Sequence, residues 1–113
     1  MEDTIKFLKL IAEENRLRII NLLLQEEMCV CELQMILNLP QPKVSKHLAK
    51  LKNYGLVKDR QANKYVHYSI MYQSDAERQI IEKLFTDKDE LFLKDDKSIS
   101  DVLRKVREDG CDI

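Results

Sequence analysis

Two groups of residues have types and spacings that could do chemistry. The first is Cys29-Val30-Cys31, two thiols separated by one residue. In a regular helix their side chains would point roughly 200° apart and could not share one ion. In an extended or distorted first turn, residues i and i+2 fall on the same side. Both sulfurs could then close on one soft ion, for which thiolates are the preferred ligands. The start of a helix is expected here, and a helix N-terminus favours the thiolate form. The competing reading makes Cys29 and Cys31 small buried hydrophobes, as free cysteines often are. Cys111 is the only other thiol. It follows Gly110 in the C-terminal tail and is a candidate third ligand.

The second group is basic and polar. Gln41, Lys43, Ser45, Lys46, His47 and Lys50 fall on one segment, and Arg60, Asn63 and Lys64 follow close behind. Gln and Ser side chains hydrogen-bond base edges, whereas lysines meet phosphates or read guanine. Net charge is only −1, but it is unevenly spread. Residues 1–40 carry net −3, residues 41–74 net +6 and residues 75–113 net −4. A basic block inside an acidic chain is the footprint of a surface that neutralises phosphates. A solvated helix face is the plain alternative. His67, lying in a strand, reads as structural.

The elements that must hold these groups follow from periodicity. A first helix begins near Asp3, with Ile5, Leu8 and Ile11–Ala12 on one face. A second begins near Asn15, carrying Leu17, Ile20, Leu23 and Leu24. A short third holds Val30, Leu33, Ile36 and Leu37, and Asn38-Leu39-Pro40 breaks it. A fourth starts at Gln41-Pro42 and buries Val44, Leu48 and Leu51 before stopping at Gly55. Leu56–Arg60 and Tyr65–Ile70 form a hairpin with a polar, basic tip that includes Arg60, Asn63 and Lys64. A helix from about Asp75 to Phe92 and a short amphipathic segment from Ser98 complete the chain.

This order predicts a mainly α (α+β) fold: a winged helix-turn-helix with a two-stranded β-hairpin wing. Residues 1–93 are expected to form the DNA-binding domain, and 94–113 a C-terminal tail with a short amphipathic helix. The second helix of such a unit enters the major groove with its N-terminal end, which here carries the polar and basic group.

Composition sets the outer bounds. The chain has 113 residues, 44% of them apolar and 35% charged, with two Gly and two Pro. That suits one helix-rich domain and argues against disorder. No run reaches the ~18 apolar residues of a membrane span, and MEDTIKF lacks a signal-peptide pattern. A cytoplasmic protein with reduced thiols is expected. No phosphate loop, catalytic carboxylate pair or nucleophile–base motif stands out, so an enzyme is not expected.

The sequence resembles the ArsR/SmtB family of winged-helix repressors, and its arsenic-sensing branch in particular. The match is carried by residues 10–20 (LIAEENRLRII), 28–33 (MCVCEL), 41–51 (QPKVSKHLAKL), 55–57 (GLV) and 64–68 (KYVHY). The resemblance implies a homodimer, joined through the first and last core helices, that binds double-stranded operator DNA and represses a resistance operon. It implies release when a trivalent metalloid, As(III) or Sb(III), binds Cys29 and Cys31 as an inducer; no obligatory cofactor is implied. The arsenic-sensing pattern places a third cysteine three residues after the second, where this chain has Gln34. Cadmium- and lead-sensing relatives recruit cysteines from an N-terminal extension, and none precedes Cys29. Zinc- and nickel-sensing relatives use His and Asp on the last core helix, yet residues 75–95 contain no histidine. A thiol redox switch, a cadmium- or lead-type sensor and a protein-interaction winged helix are the rival readings.

Overall fold

The computed structural model describes residues 2–110. Its elements run α1 (Glu2–Ile11), α2 (Glu14–Gln25), β1 (Met28–Cys29), α3 (Val30–Leu37), α4 (Gln41–Tyr54), β2 (Val57–Ala62), β3 (Tyr65–Ile70), α5 (Asp75–Leu84) and α6 (Glu90–Asp109). Local chemistry fixes most boundaries. The Glu13 carboxylate accepts from the N–H groups of Asn15 and Arg16 and so caps α2. Asn38 takes the left-handed conformation that ends α3, and Gly55 (φ 104°) does the same for α4. Pro42, in the first turn of α4, gives up only a donor that had no helical partner.

The hairpin gains a third strand. The sheet order is β1-β3-β2, antiparallel throughout, so the two-stranded expectation is corrected by one short strand. Met28 pairs with Tyr68 and Cys29 with His67. Because α2 delivers the chain to the edge of β3, the segment just before α3 finds ladder partners there. β2 and β3 turn at Asn63-Lys64, where Asn63 adopts φ 57°.

One core joins α1, α2, α3, α4, β2 and α5 through Phe7, Ile20, Leu33, Leu48, Val57 and Ile81. In α1 the buried side chains are Phe7 and Ile11, whereas Ile5 and Leu8 face outward, each 45% exposed. Of the expected stripe Ile11 joins the core, whereas Ile5, Leu8 and Ala12 lie on the outer side. Ile80 and Leu84 of α5 are exposed in the same way.

The C-terminal region departs most from expectation. The helix expected over 75–92 stops at Leu84, and a 20-residue helix begins at Glu90, crossing the expected boundary at 93/94. Phe85 and Phe92 pack edge-to-face across the break, with centroids 5.2 Å apart. α6 lies against α2 and α3. Arg18 makes a two-point contact with Asp95 at 2.9 and 3.0 Å. Asp96 accepts from Asn21, Gln25 and Lys88 at 2.7–2.9 Å. No helix among the described residues is long and apolar enough to cross a membrane.

Candidate thiol centre and nucleic-acid interface

Cys29 sits at the joint between β1 and α3. Its backbone is extended (φ −89°, ψ 168°), and it is the N-cap of α3. The pair therefore avoids the regular helical geometry that would hold its sulfurs apart. Cys29 and Cys31 share a small buried cluster with Val106 of α6. Around Cys29 the first turn forms a capping box in which a thiol replaces the usual hydroxyl. The Glu32 carboxylate accepts from the Cys29 N–H at 3.0 Å. Glu32 is fully buried. Its other oxygen receives the Arg107 guanidinium at 3.1 Å.

Burial pushes the Cys29 thiol above the usual thiol range, and the Glu32 charge adds to that push. Here the expectation of a thiolate favoured by the helix N-terminus is corrected. Desolvation and a neighbouring carboxylate outweigh the helix dipole. Cys29 is a free thiol, 2% exposed.

Cys29 is the free thiol of the cluster and Cys31 is disulfide-bonded, so the region offers two soft sulfur donors to a thiophilic ion only once Cys31 is reduced. Among the described residues no group of three or more His, Cys, Asp or Glu gathers to hold a metal ion. Cys111, the expected third ligand, lies outside the described residues. Gly110, two residues beyond Glu108, lines a cleft of about 570 Å³ that also contains Cys29, His67 and Arg107.

The expected DNA-contact residues divide. Gln41, Lys43, Lys46 and Lys50 on α4 are exposed, as are Asn63 and Lys64 at the wing tip, and Ser45 is half-buried. Gln41 donates to the Ser45 hydroxyl at 2.7 Å. His47 is different. It is buried at 9% exposure, with Nδ1 3.6 Å from a Glu13 oxygen and 3.3 Å from Arg16. It lies beneath the outward face rather than on it, because position 47 belongs to the inward stripe of Val44, Leu48 and Leu51. Burial, set against the pull of Glu13, holds its imidazole below the usual histidine range. Arg60 is not at the wing tip either. It stands mid-strand opposite His67 and donates to Glu27 at 2.9 Å.

A second cleft, of about 400 Å³, brings the two groups together. Cys29 and Cys31 line it with Gln41 and Ser45 of α4 and with Lys64 and Tyr65 of the wing. Glu32 and Arg107 were absent from the expected site. Glu32 had a signal, since it stands three residues after the N-cap, as a capping box requires. Arg107 had none.

The sequence pattern of "Bacterial regulatory protein, arsR family" matches residues 13–59. A cadmium resistance transcriptional regulatory protein, the CadC homolog of Staphylococcus aureus, is 34% identical over 84 residues, covering 74% of this chain and 68% of its own. The chain belongs to the arsR family. The arsenical resistance operon repressor of Escherichia coli K12 is 48% identical to this arsR-family chain over 68 residues, 58% of the chain and 57% of the repressor. The match thus spans little more than half of that relative. Among solved structures, HlyU from Vibrio cholerae N16961 superimposes with a TM-score of 0.67 at 37% identity, covering 74% of this chain and 88% of HlyU. Family and fold are those of transcription regulators rather than enzymes. In this arsR-family member, the matched segment holds both Cys29 and Cys31 and the whole of α4 but ends before β3, α5 and α6.

Proposed function

We propose that the protein is a metalloid-responsive transcriptional repressor of the cytoplasm. It binds double-stranded operator DNA as a homodimer and lets go when As(III) or Sb(III) binds Cys29 and Cys31. The observation that carries this reading is the shared cleft. The sulfur pair lines the same cavity as Gln41 and Ser45 at the N-terminal end of α4 and Lys64 at the wing tip. Drawing two sulfurs onto one ion must reshape the first turn of α3, and α3 packs directly on α4. The similarity to an arsenical resistance repressor favours a trivalent metalloid over other soft ions. Cys111 is the candidate third donor.

In the DNA-bound state Gln41 and Ser45 read base edges, while Lys43, Lys46, Lys50, Asn63 and Lys64 meet the backbone. The homodimer forms through α1 and α5, whose Ile5, Leu8, Ile80 and Leu84 are exposed. Burying such a stripe against a second copy removes apolar surface from water, and two-fold symmetry supplies two recognition helices.

The test compares wild-type protein with Cys29→Ser and Cys31→Ser on DNA from its own promoter, all kept reduced. Both variants are expected to bind DNA like wild type and to ignore arsenite. Release retained in both single variants would overturn the assignment of the site.

A further inference from the structure

We infer that Arg107 is a positioning residue of the thiol centre, so that α6 forms one wall of the sensor instead of trailing from it; the inference rests on the metalloid reading above. Arg107 reaches the thiol segment at both ends. Its Nη2 donates to the Glu27 carbonyl at 3.0 Å, just ahead of β1. Its Nε donates to Glu32 Oε2 at 3.1 Å, just beyond Cys31. One guanidinium thus brackets Met28-Cys29-Val30-Cys31. Beside it, Val106 closes over both cysteines.

The grip acts through Glu32. That side chain is 1% exposed, and a carboxylate so enclosed is costly unless it is paired and hydrogen-bonded. Its Oε1 accepts from the Cys29 N–H and its Oε2 from Arg107. Without Arg107, Glu32 has to turn outward to water for a partner. Turning outward abandons the Cys29 N–H, and the cap that fixes the first sulfur is lost. Arg107 also lies 3.8 Å from Glu26, but that pair is half-exposed on both sides and positions no part of the pair of cysteines.

Supporting residues of this kind set ligand affinity by orienting the donors, and losing one costs roughly 10–100-fold. α6 therefore belongs to the sensor even though it lies beyond residues 13–59, where the family pattern matches.

The experiment uses the full-length reduced protein as wild type, Arg107→Ala, Arg107→Lys and Glu26→Ala. Arsenite binding is followed by the ultraviolet absorption of arsenic–sulfur bonds. Alkylation of Cys29 by iodoacetamide is followed by peptide mass spectrometry, and promoter-DNA affinity is measured without arsenite. Arg107→Ala is expected to weaken arsenite binding about tenfold and to speed Cys29 alkylation severalfold, with DNA affinity unchanged. Arg107→Lys, which keeps a cation for Glu32, should recover part of both effects, and Glu26→Ala should behave as wild type. Wild-type arsenite binding and alkylation in Arg107→Ala would overturn the inference. Loss of DNA affinity along with arsenite binding would overturn it too, by showing a general structural role. If wild-type protein ignores arsenite while its Cys29 alkylation still depends on Arg107, the metalloid reading fails and the positioning role stands.

Discussion

Cys29 and His67 stand directly opposite each other on the β1–β3 ladder, and Arg60 completes the same rung on β2. Directly paired residues put their side chains on one face of a sheet, and a ladder slip of one residue would reverse them. The candidate sensor is thus tied to the wing through the backbone as well as to α4 through the packing of α3. His67 Nδ1, buried between the thiol and the guanidinium strands, has no hydrogen-bond partner among the described residues. Among the described strands β1 pairs with β3 alone, so the backbone at Cys29 is joined directly to β3.

Removing two exposed lysines should change how binding depends on salt. A lysine that neutralises one phosphate contributes about 0.9 to the slope of log affinity against log salt. Lys43→Ala with Lys46→Ala should therefore lower the slope by about 2 per protomer, with no change in thermal unfolding. Fluorescence anisotropy over a potassium chloride series reads this. An unchanged slope would mean that neither lysine meets a phosphate.

Gly55 is a backbone requirement. Its φ of 104° is disfavoured for any side chain, and a Cβ there would stand 2.5 Å from Gln73 Nε2. That same nitrogen donates to the Gly55 carbonyl at 2.6 Å, linking the end of α4 to the approach to α5. Gly55→Ala should cost about 1–3 kcal/mol in urea unfolding. A loss below ~0.5 kcal/mol would show that the turn adapts freely.

Tyr54 gives a pH dependence of known sign. Its hydroxyl donates to Glu77 at 2.5 Å, and burial together with the Glu77 charge pushes the phenol up to about 12. The folded protein holds that proton more tightly than the unfolded chain, whose phenol titrates near 10. The stabilisation is therefore complete below about pH 10 and is lost as pH rises towards 12. Tyr54→Phe should cost about 1 kcal/mol near neutrality. The gap between variant and wild type should then shrink above pH 10, as read by urea unfolding at several pH values. A gap that widens with pH would contradict the assignment.

Asp95 and Arg18 anchor the other end of α6. The Asp95 side chain is 3% exposed and that of Arg18 12%. Breaking such a pair from one side strands the remaining charge, at a cost of about 3 kcal/mol. Asp95→Ala should lower overall stability by about that much. Hydrogen exchange should quicken in α6 before it does in α4. Unaltered exchange in α6 would show that the helix is held by its apolar face alone.

Where sequence patterns and the fold agree or part has physical causes. Helices α2, α3 and α4 were legible because each carries an apolar stripe, and α3 and α4 also end on local stop signals at Asn38 and Gly55. α1 carries two apolar rows: Ile11 was read as inward and is, but Ile5 and Leu8 lie on the outer row and Phe7 takes the core position beside Ile11. The 44, 47, 48, 51 spacing already placed His47 on the inward row, but residue type pulled it outward in the reading. β1 is two residues long, too short to show alternation. The break between α5 and α6 was hidden because Leu84, Phe85 and Phe92 continue the apolar rhythm, and Phe85 and Phe92 pack together across it. Arg107 could not be read in advance: its contacts with Glu27 and Glu32 arise only when α6 folds back over residues distant in sequence.

The central claim is that a trivalent metalloid, sensed at Cys29 and Cys31, governs DNA binding. Its most direct test is fluorescence anisotropy of the reduced protein on DNA from its own promoter, titrated in parallel with arsenite, cadmium and zinc. The account predicts release by arsenite at concentrations where zinc does nothing. Tight DNA binding indifferent to arsenite, or release by zinc or cadmium alone, would contradict it.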